Sequence, residues 1–88
     1  MFLHLGGDVT VSTKKVVAIL DAEQISSSEI NASLLENALQ SGSAVFITEE
    51  DHKSIIITHF KNRQRVYYSP ISAATLYKRS ISIKESFL

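Results

Sequence analysis

The stretch Ser54-Ile-Ile-Ile-Thr-His-Phe-Lys-Asn-Arg-Gln-Arg-Val-Tyr-Tyr-Ser-Pro-Ile-Ser-Ala-Ala-Thr-Leu-Tyr-Lys-Arg79 decides the fold. Ser54–Phe60 and Gln64–Tyr68 read as two strands joined by a tight basic loop, Lys61-Asn62-Arg63, with Phe60 opposite Arg65. Because successive strand residues point to opposite faces, Ile55, Ile57, His59, Val66 and Tyr68 share one face. Ile56, Thr58, Phe60, Arg65 and Tyr67 share the other. Both faces are substantially apolar, so both need cover. One is expected against a helix, and the other against the terminal helix, a second subunit, or both. Apolar area of that size commonly marks an interaction site, which is the physical reason to expect an oligomer. Ser69-Pro70 then reads as a helix N-cap with proline at the first helical position. A helix of about ten residues follows, with Ile71, Ala74 and either Leu76 or Tyr77 inward. Lys78 and Arg79 complement its C-terminal dipole, a local role that requires no ligand.

Working outward, Phe2–Leu5 and Val9–Val11 form a hairpin over Gly6-Gly7-Asp8, residues suited to a turn with positive φ. Val16–Leu20 is continuously apolar, as in a strand covered on both faces. Ser26-Ser-Ser-Glu29 matches a capping box that opens a helix over about residues 27–41. Its apolar stripe is Ile30, Leu34, Leu35, Ala38 and Leu39, and Gly42 suits the left-handed cap that ends it. Ala44–Thr48 is a strand, and Glu49-Glu50-Asp51-His52 is an acidic loop. Ile81–Leu88 reads as an added edge strand or a loose tail. The expected class is α+β: one domain over residues 1–88, a mainly antiparallel sheet of about five to six strands, one amphipathic helix and a short C-terminal helix.

A chain of 88 residues buries only roughly 60–65% of its unfolded surface, so its core is modest. It has no cysteine, which fits a reducing compartment and leaves no thiolate metal site. No segment approaches the roughly 18 apolar residues of a membrane span, and a cytoplasmic location is expected. Net charge is zero but unevenly spread. Residues 1–52 carry two lysines against eight acids, whereas residues 53–88 carry seven lysines and arginines against Glu85 alone. Such a dipolar chain can present a basic face to an anionic polymer, or pair its two halves within or between subunits.

No phosphate-binding loop, dinucleotide fingerprint, paired-histidine zinc motif or serine elbow occurs. The acids and histidine at 49–52 lack the alternation of a calcium loop and read as solvated. His4 and His59 read as ordinary strand residues. No cofactor, metal, small-molecule substrate or catalytic residue is assigned. Lys14-Lys15, before the third strand, reads either as a solvated turn or as a pair of phosphate contacts.

Phe2-Leu-His-Leu-Gly-Gly-Asp8, Val11-Ser-Thr-Lys-Lys-Val-Val-Ala-Ile-Leu-Asp21, Lys53-Ser-Ile-Ile-Ile-Thr58 and Val66–Arg79 together resemble the extracellular-matrix regulator family, RemA and RemB, and most of all its RemB branch. The run Tyr67-Tyr-Ser-Pro-x-Ser-x-x-Thr-Leu-x-Lys-Arg79 is the most specific part, and the resemblance is weakest over residues 22–52. It implies a non-enzymatic, nucleoid-associated, DNA-binding transcriptional regulator of biofilm-matrix genes, working as a homo-oligomeric ring whose basic surface engages DNA. Lys15, with Lys14 beside it, occupies the family's basic position before the third strand. Lys53 matches only the last residue of an arginine cluster that leads into the long strand. Glu50, Asp51 and His52 precede it, where acids repel phosphate. The candidate DNA-contacting residues are therefore Lys14, Lys15 and Lys53, then Lys61, Arg63 and Arg65 around the hairpin. The competing reading is an oligomeric protein-interaction module that modulates another regulator without touching DNA.

Overall fold

The computed structural model describes residues 1–25 and 29–85. Six strands and three helices follow in the order β1 (Phe2–Gly6), β2 (Val9–Ser12), β3 (Val16–Asp21), α1 (Ala22–Ile25), α2 (Glu29–Ser41), β4 (Ala44–Phe46), β5 (Ser54–Phe60), β6 (Arg63–Ser69) and α3 (Ala73–Glu85). A short 3-10 turn at Thr13–Lys15 joins β2 to β3. The α+β class stands, but the strands divide into two sheets instead of one. β1 and β2 form a separate hairpin, and the other four lie in the order β3-β5-β6-β4, with the β4–β6 pair parallel. The long hairpin sits at the centre, and β5 and β6, seven residues each, carry buried apolar side chains on both faces. β3 is an edge strand covered on both faces, Val16 and Ile19 packing against one apolar cluster and Ala18 and Leu20 against the other, while a bulge between Val16 and Ala18 leaves Val17 65% exposed.

The β5–β6 turn is two residues, Lys61 and Asn62, and Phe60 pairs with Arg63, not Arg65. Both turn residues have positive φ, 50° and 63°, as a two-residue turn that follows the sheet's twist requires. The slip from the expected register is an even number of residues. The assignment of side chains to faces therefore survives it.

Each face carries its own apolar cluster. Ile56 and Tyr67 meet Leu3, Leu5 and Val11 of the N-terminal hairpin and Leu76 of α3. Ile55, Ile57 and Val66 meet Leu35 and Ala38 of α2. Both faces are thus covered within one chain, and an uncovered hairpin face is no longer a reason for a second subunit. The N-terminal hairpin and α3 together supply the cover expected of the terminal helix, a second subunit, or both.

Helix boundaries show which local signals prevailed. The capping box lies largely outside the described residues. At the other end of α2, Gly42 has φ 76° and the Ser43 N–H donates to the Ala38 carbonyl at 3.0 Å, the expected left-handed cap. Leu39, expected in the apolar stripe, is exposed, because the contact at this end runs through Leu35 and Ala38. The side chains of Ile30 and Leu34 lie outside the described set.

Ser69 does not cap α3. It ends β6, where its buried hydroxyl donates to the Leu5 carbonyl and accepts from the Ile71 N–H. Ser54, also fully buried, donates to the Ile71 carbonyl at 2.6 Å. The cap is Ser72, whose Oγ accepts from the Thr75 N–H at 3.2 Å. Leu76 is the inward residue and Tyr77 is exposed. The chain has no glycine or proline after Pro70, so nothing stops the helix at Arg79. It continues to Glu85, which replaces the expected edge strand or tail over that span and puts Lys78 and Arg79 in mid-helix. Arg79 instead reaches the His4 carbonyl at 3.4 Å.

Gly6 joins the two layers. Its φ is 124°, and a Cβ placed there would lie 3.2 Å from Pro70 Cδ and 3.3 Å from Ile47 Cγ2. Gly6→Ala is expected to cost about 1–3 kcal/mol through backbone strain and close contact. Urea denaturation of the variant against the parent chain measures it.

Candidate functional site

Seven lysines and arginines and no acid occur between residues 53 and 84. The fold gathers part of that charge at the turn end of the central hairpin. Phe60 and Arg63 face each other across the last pair of β5–β6, and Thr58 faces Arg65 in the next pair on the same side. Tyr67 follows on that face one step further along β6. The 3-10 turn before β3 brings in Lys15, because Val16 pairs with Thr58. These six residues, Lys15, Thr58, Phe60, Arg63, Arg65 and Tyr67, line an open concavity of about 240 Å³.

The Lys15 ammonium lies over the Phe60 ring, 4.0 Å from its centroid, and the Lys61 ammonium lies 5.3 Å from it. Both distances suit attraction between a cation and the ring's negative face. Phe60 remains half exposed between them. Among the described residues, no carboxylate pairs with Lys15, Lys61, Arg63 or Arg65. The charge is therefore free to meet an external anion.

Of the sequence candidates, Lys15, Lys61, Arg63 and Arg65 come together here. Lys14 is exposed in the same 3-10 turn. Lys53 does not join them. It lies just before β5, where its N–H donates to the Ser69 carbonyl and its carbonyl accepts from the Ala22 N–H. Six residues of extended strand separate it from Phe60, roughly 20 Å.

Glu49, Glu50 and Asp51 are exposed at that same far end. Their loop is held by His52, whose Nε2 lies 2.7 Å from the Thr48 carbonyl and whose ring leans on Phe46 and Tyr68. Phe46 and Tyr68 stack at 4.5 Å. Burial raises the Tyr68 phenol above its usual range. The screening length at physiological salt is about 8 Å, so acids some 20 Å away hardly weaken the potential at the turn end. The acids at 49–51 thus stand beside Lys53 and leave the Phe60 cluster basic.

Sequence reasoning put Thr58, Phe60, Arg65 and Tyr67 on one face but singled out only Arg65 among them as a candidate contact. The missing signal was the turn length. With a two-residue turn, Arg63 enters the strand and joins them. Among the described residues no group of three histidines or acids converges as a metal site, and no helix is long and apolar enough to cross a membrane.

Comparison with known proteins agrees with the pattern of the N-terminal hairpin and the β6–α3 segment. Residues 2–80 match the RemA-like family, described as "Extracellular matrix regulatory protein A-like". The chain is also 36% identical over 80 residues to "Extracellular matrix regulatory protein B" of Bacillus subtilis (strain 168), which covers 91% of this chain and 90% of that protein. The chain belongs to the RemA-like family of extracellular matrix regulatory proteins.

Proposed function

We propose that this protein is a non-enzymatic transcriptional regulator of extracellular-matrix genes that grips the DNA backbone through the basic turn end of its central hairpin. The observation that carries this reading is the convergence of Lys15, Lys61, Arg63 and Arg65 around Phe60, remote from every acid of the 49–51 loop. Arginine offers paired donors matched to phosphate oxygens, and the neighbouring lysines add unpaired positive charge. The four converging cations stand on turns and a strand and not on an α-helix, so backbone and shape recognition outweigh base contacts. One such patch is weak. A homo-oligomer or ring of one-domain subunits multiplies it, and it sits naturally with a cytoplasmic, nucleoid-associated location. Exposed Phe2, Val17, Phe46 and Tyr77, and the free edges of β3 and β4, are the surfaces from which subunit contacts would be built.

The test is a fluorescence anisotropy titration against duplex promoter fragments at about 50 and about 200 mM salt. Affinity is expected to fall steeply as salt rises, and changing Lys14 and Lys15 together to Ala to reduce the salt slope by about 2 per engaged chain. Absent binding, or binding indifferent to salt, would overturn the reading.

The alternative is a protein-interaction module that modulates another regulator. One observation favours it: exposed Glu50 and Asp51 stand just before Lys53, where the resemblance places arginines, with exposed Glu49 beside them. A chain that fails to bind duplex but captures a relative, and loses that capture on Glu49→Gln with Glu50→Gln, would establish it.

A further inference from the structure

A duplex backbone presents phosphates and sugars, and cations suffice to grip it. The turn end of the hairpin offers more. Phe60 holds a half-exposed aromatic ring on the sheet surface, flanked by four cations. Beside it, Thr58 and Tyr67 are 7% and 8% exposed. Neither hydroxyl has a hydrogen-bond partner among the described residues. Both residues line the concavity. A ring to stack on, polar groups to meet a heterocycle's edge and arginines to hold a phosphate are the requirements of an unstacked nucleotide.

We infer that this concavity binds a single unstacked nucleotide, its base on the Phe60 ring and its phosphate on Arg63 and Arg65. The inference rests on the nucleic-acid reading above and specifies the form of ligand that the site takes. Arg63 and Arg65 are two residues apart on one face of β6, roughly 7 Å along the strand, so both can approach one phosphate or two neighbouring ones. The Lys15 ammonium now lies over the ring. An incoming base displaces it, and the freed ammonium turns to the phosphate, so the cation–ring contact is exchanged instead of lost. The volume fits this scale. About 240 Å³ is below the roughly 300–1,000 Å³ of pockets that enclose whole ligands, and suits one base set into an open groove. The nucleotide has two possible sources, a free nucleoside phosphate or an unpaired position in a nucleic-acid strand.

The chain contains no tryptophan, so Phe60→Trp introduces a unique fluorophore at the proposed stacking surface. Titration of this variant with a nucleoside monophosphate, a single-stranded oligonucleotide and inorganic phosphate identifies the source. Quenching by the monophosphate points to a free nucleotide, and quenching by the oligonucleotide alone to a strand. No quenching by either, or equal quenching by inorganic phosphate, would overturn the inference. In parallel, Phe60→Leu keeps an apolar side chain and removes the stacking ring. It is expected to weaken binding of the quenching nucleotide or strand about tenfold or more, a larger factor than its effect on duplex binding. Equal losses for both, or no loss for either, would overturn the inference even where duplex binding by the parent chain upholds the reading it rests on. Circular dichroism confirms that both variants fold.

Discussion

Ile56→Ala is expected to destabilise the protein by about 2–5 kcal/mol, the largest stability effect of any single truncation proposed here. Ile56 is fully buried in β5, an inner strand of the four-stranded sheet. It pairs with Ile19 on one side and Tyr67 on the other, and packs with Leu3, Leu5, Val11 and Leu76. Three separately coded segments meet on it: the N-terminal hairpin, the sheet and α3. Truncation leaves a cavity that no single neighbour can fill without pulling away from its own layer. A chain of this size has a total stability of only about 4–13 kcal/mol, so the loss is a large share of it. At about 4–8 °C per kcal/mol, the midpoint of thermal unfolding falls by about 8–40 °C. Differential scanning calorimetry measures it, with Val17→Ala as the control. Val17 is 65% exposed at the β3 bulge, and its truncation is expected to stay within about 0.5 kcal/mol.

Replacing Arg63 and Arg65 together with Ala is expected to lower duplex DNA affinity roughly 10- to 100-fold at about 0.1 M salt. The lower figure follows from about 0.7 kcal/mol for each exposed arginine–phosphate pair, and the higher from about 1.4 kcal/mol each in paired, bidentate geometry. The slope of log affinity against log salt should flatten by about 2 per engaged chain. Both side chains are exposed, so the fold itself loses little. Two controls give the result its meaning. Glu49→Gln with Glu50→Gln removes charge roughly 20 Å away, beyond two screening lengths, and is expected to change affinity by less than about twofold. Lys53→Ala lies at that same remote end and should behave similarly. A larger loss from Lys53→Ala than from the double arginine variant would move the DNA site to the opposite end of β5.

The site was legible in kind more than in membership. Lys61, Arg63 and Arg65 stand out in a tract without acids, and Lys15 by its place before a strand. The alternation of β5 already put Thr58 and Phe60 on one face, because side-chain direction in a strand depends only on parity. That is why an incorrect pairing of Phe60 with Arg65 still assigned every face correctly. Lys53 could not be separated from the others, since distance across a fold does not follow distance along a chain.

The sequence by itself determined the local elements: the Gly6-Gly7 hairpin, the Gly42 cap, the long apolar pair of strands and the division of charge between the halves. Each depends on φ preference, periodicity or composition within a few residues. Tertiary structure alone decided how those elements share their surfaces. It split the strands into two sheets, because the N-terminal hairpin buries Leu3, Leu5 and Val11 across the central sheet and not along its edge. It turned Ser69 from a helix cap into a link to Leu5, 64 residues away, because a buried hydroxyl takes the partner that packing brings to it. It also placed the acids at one end of β5 and the Phe60 cluster at the other. Screening over that length is what leaves a basic site on a chain whose net charge is zero.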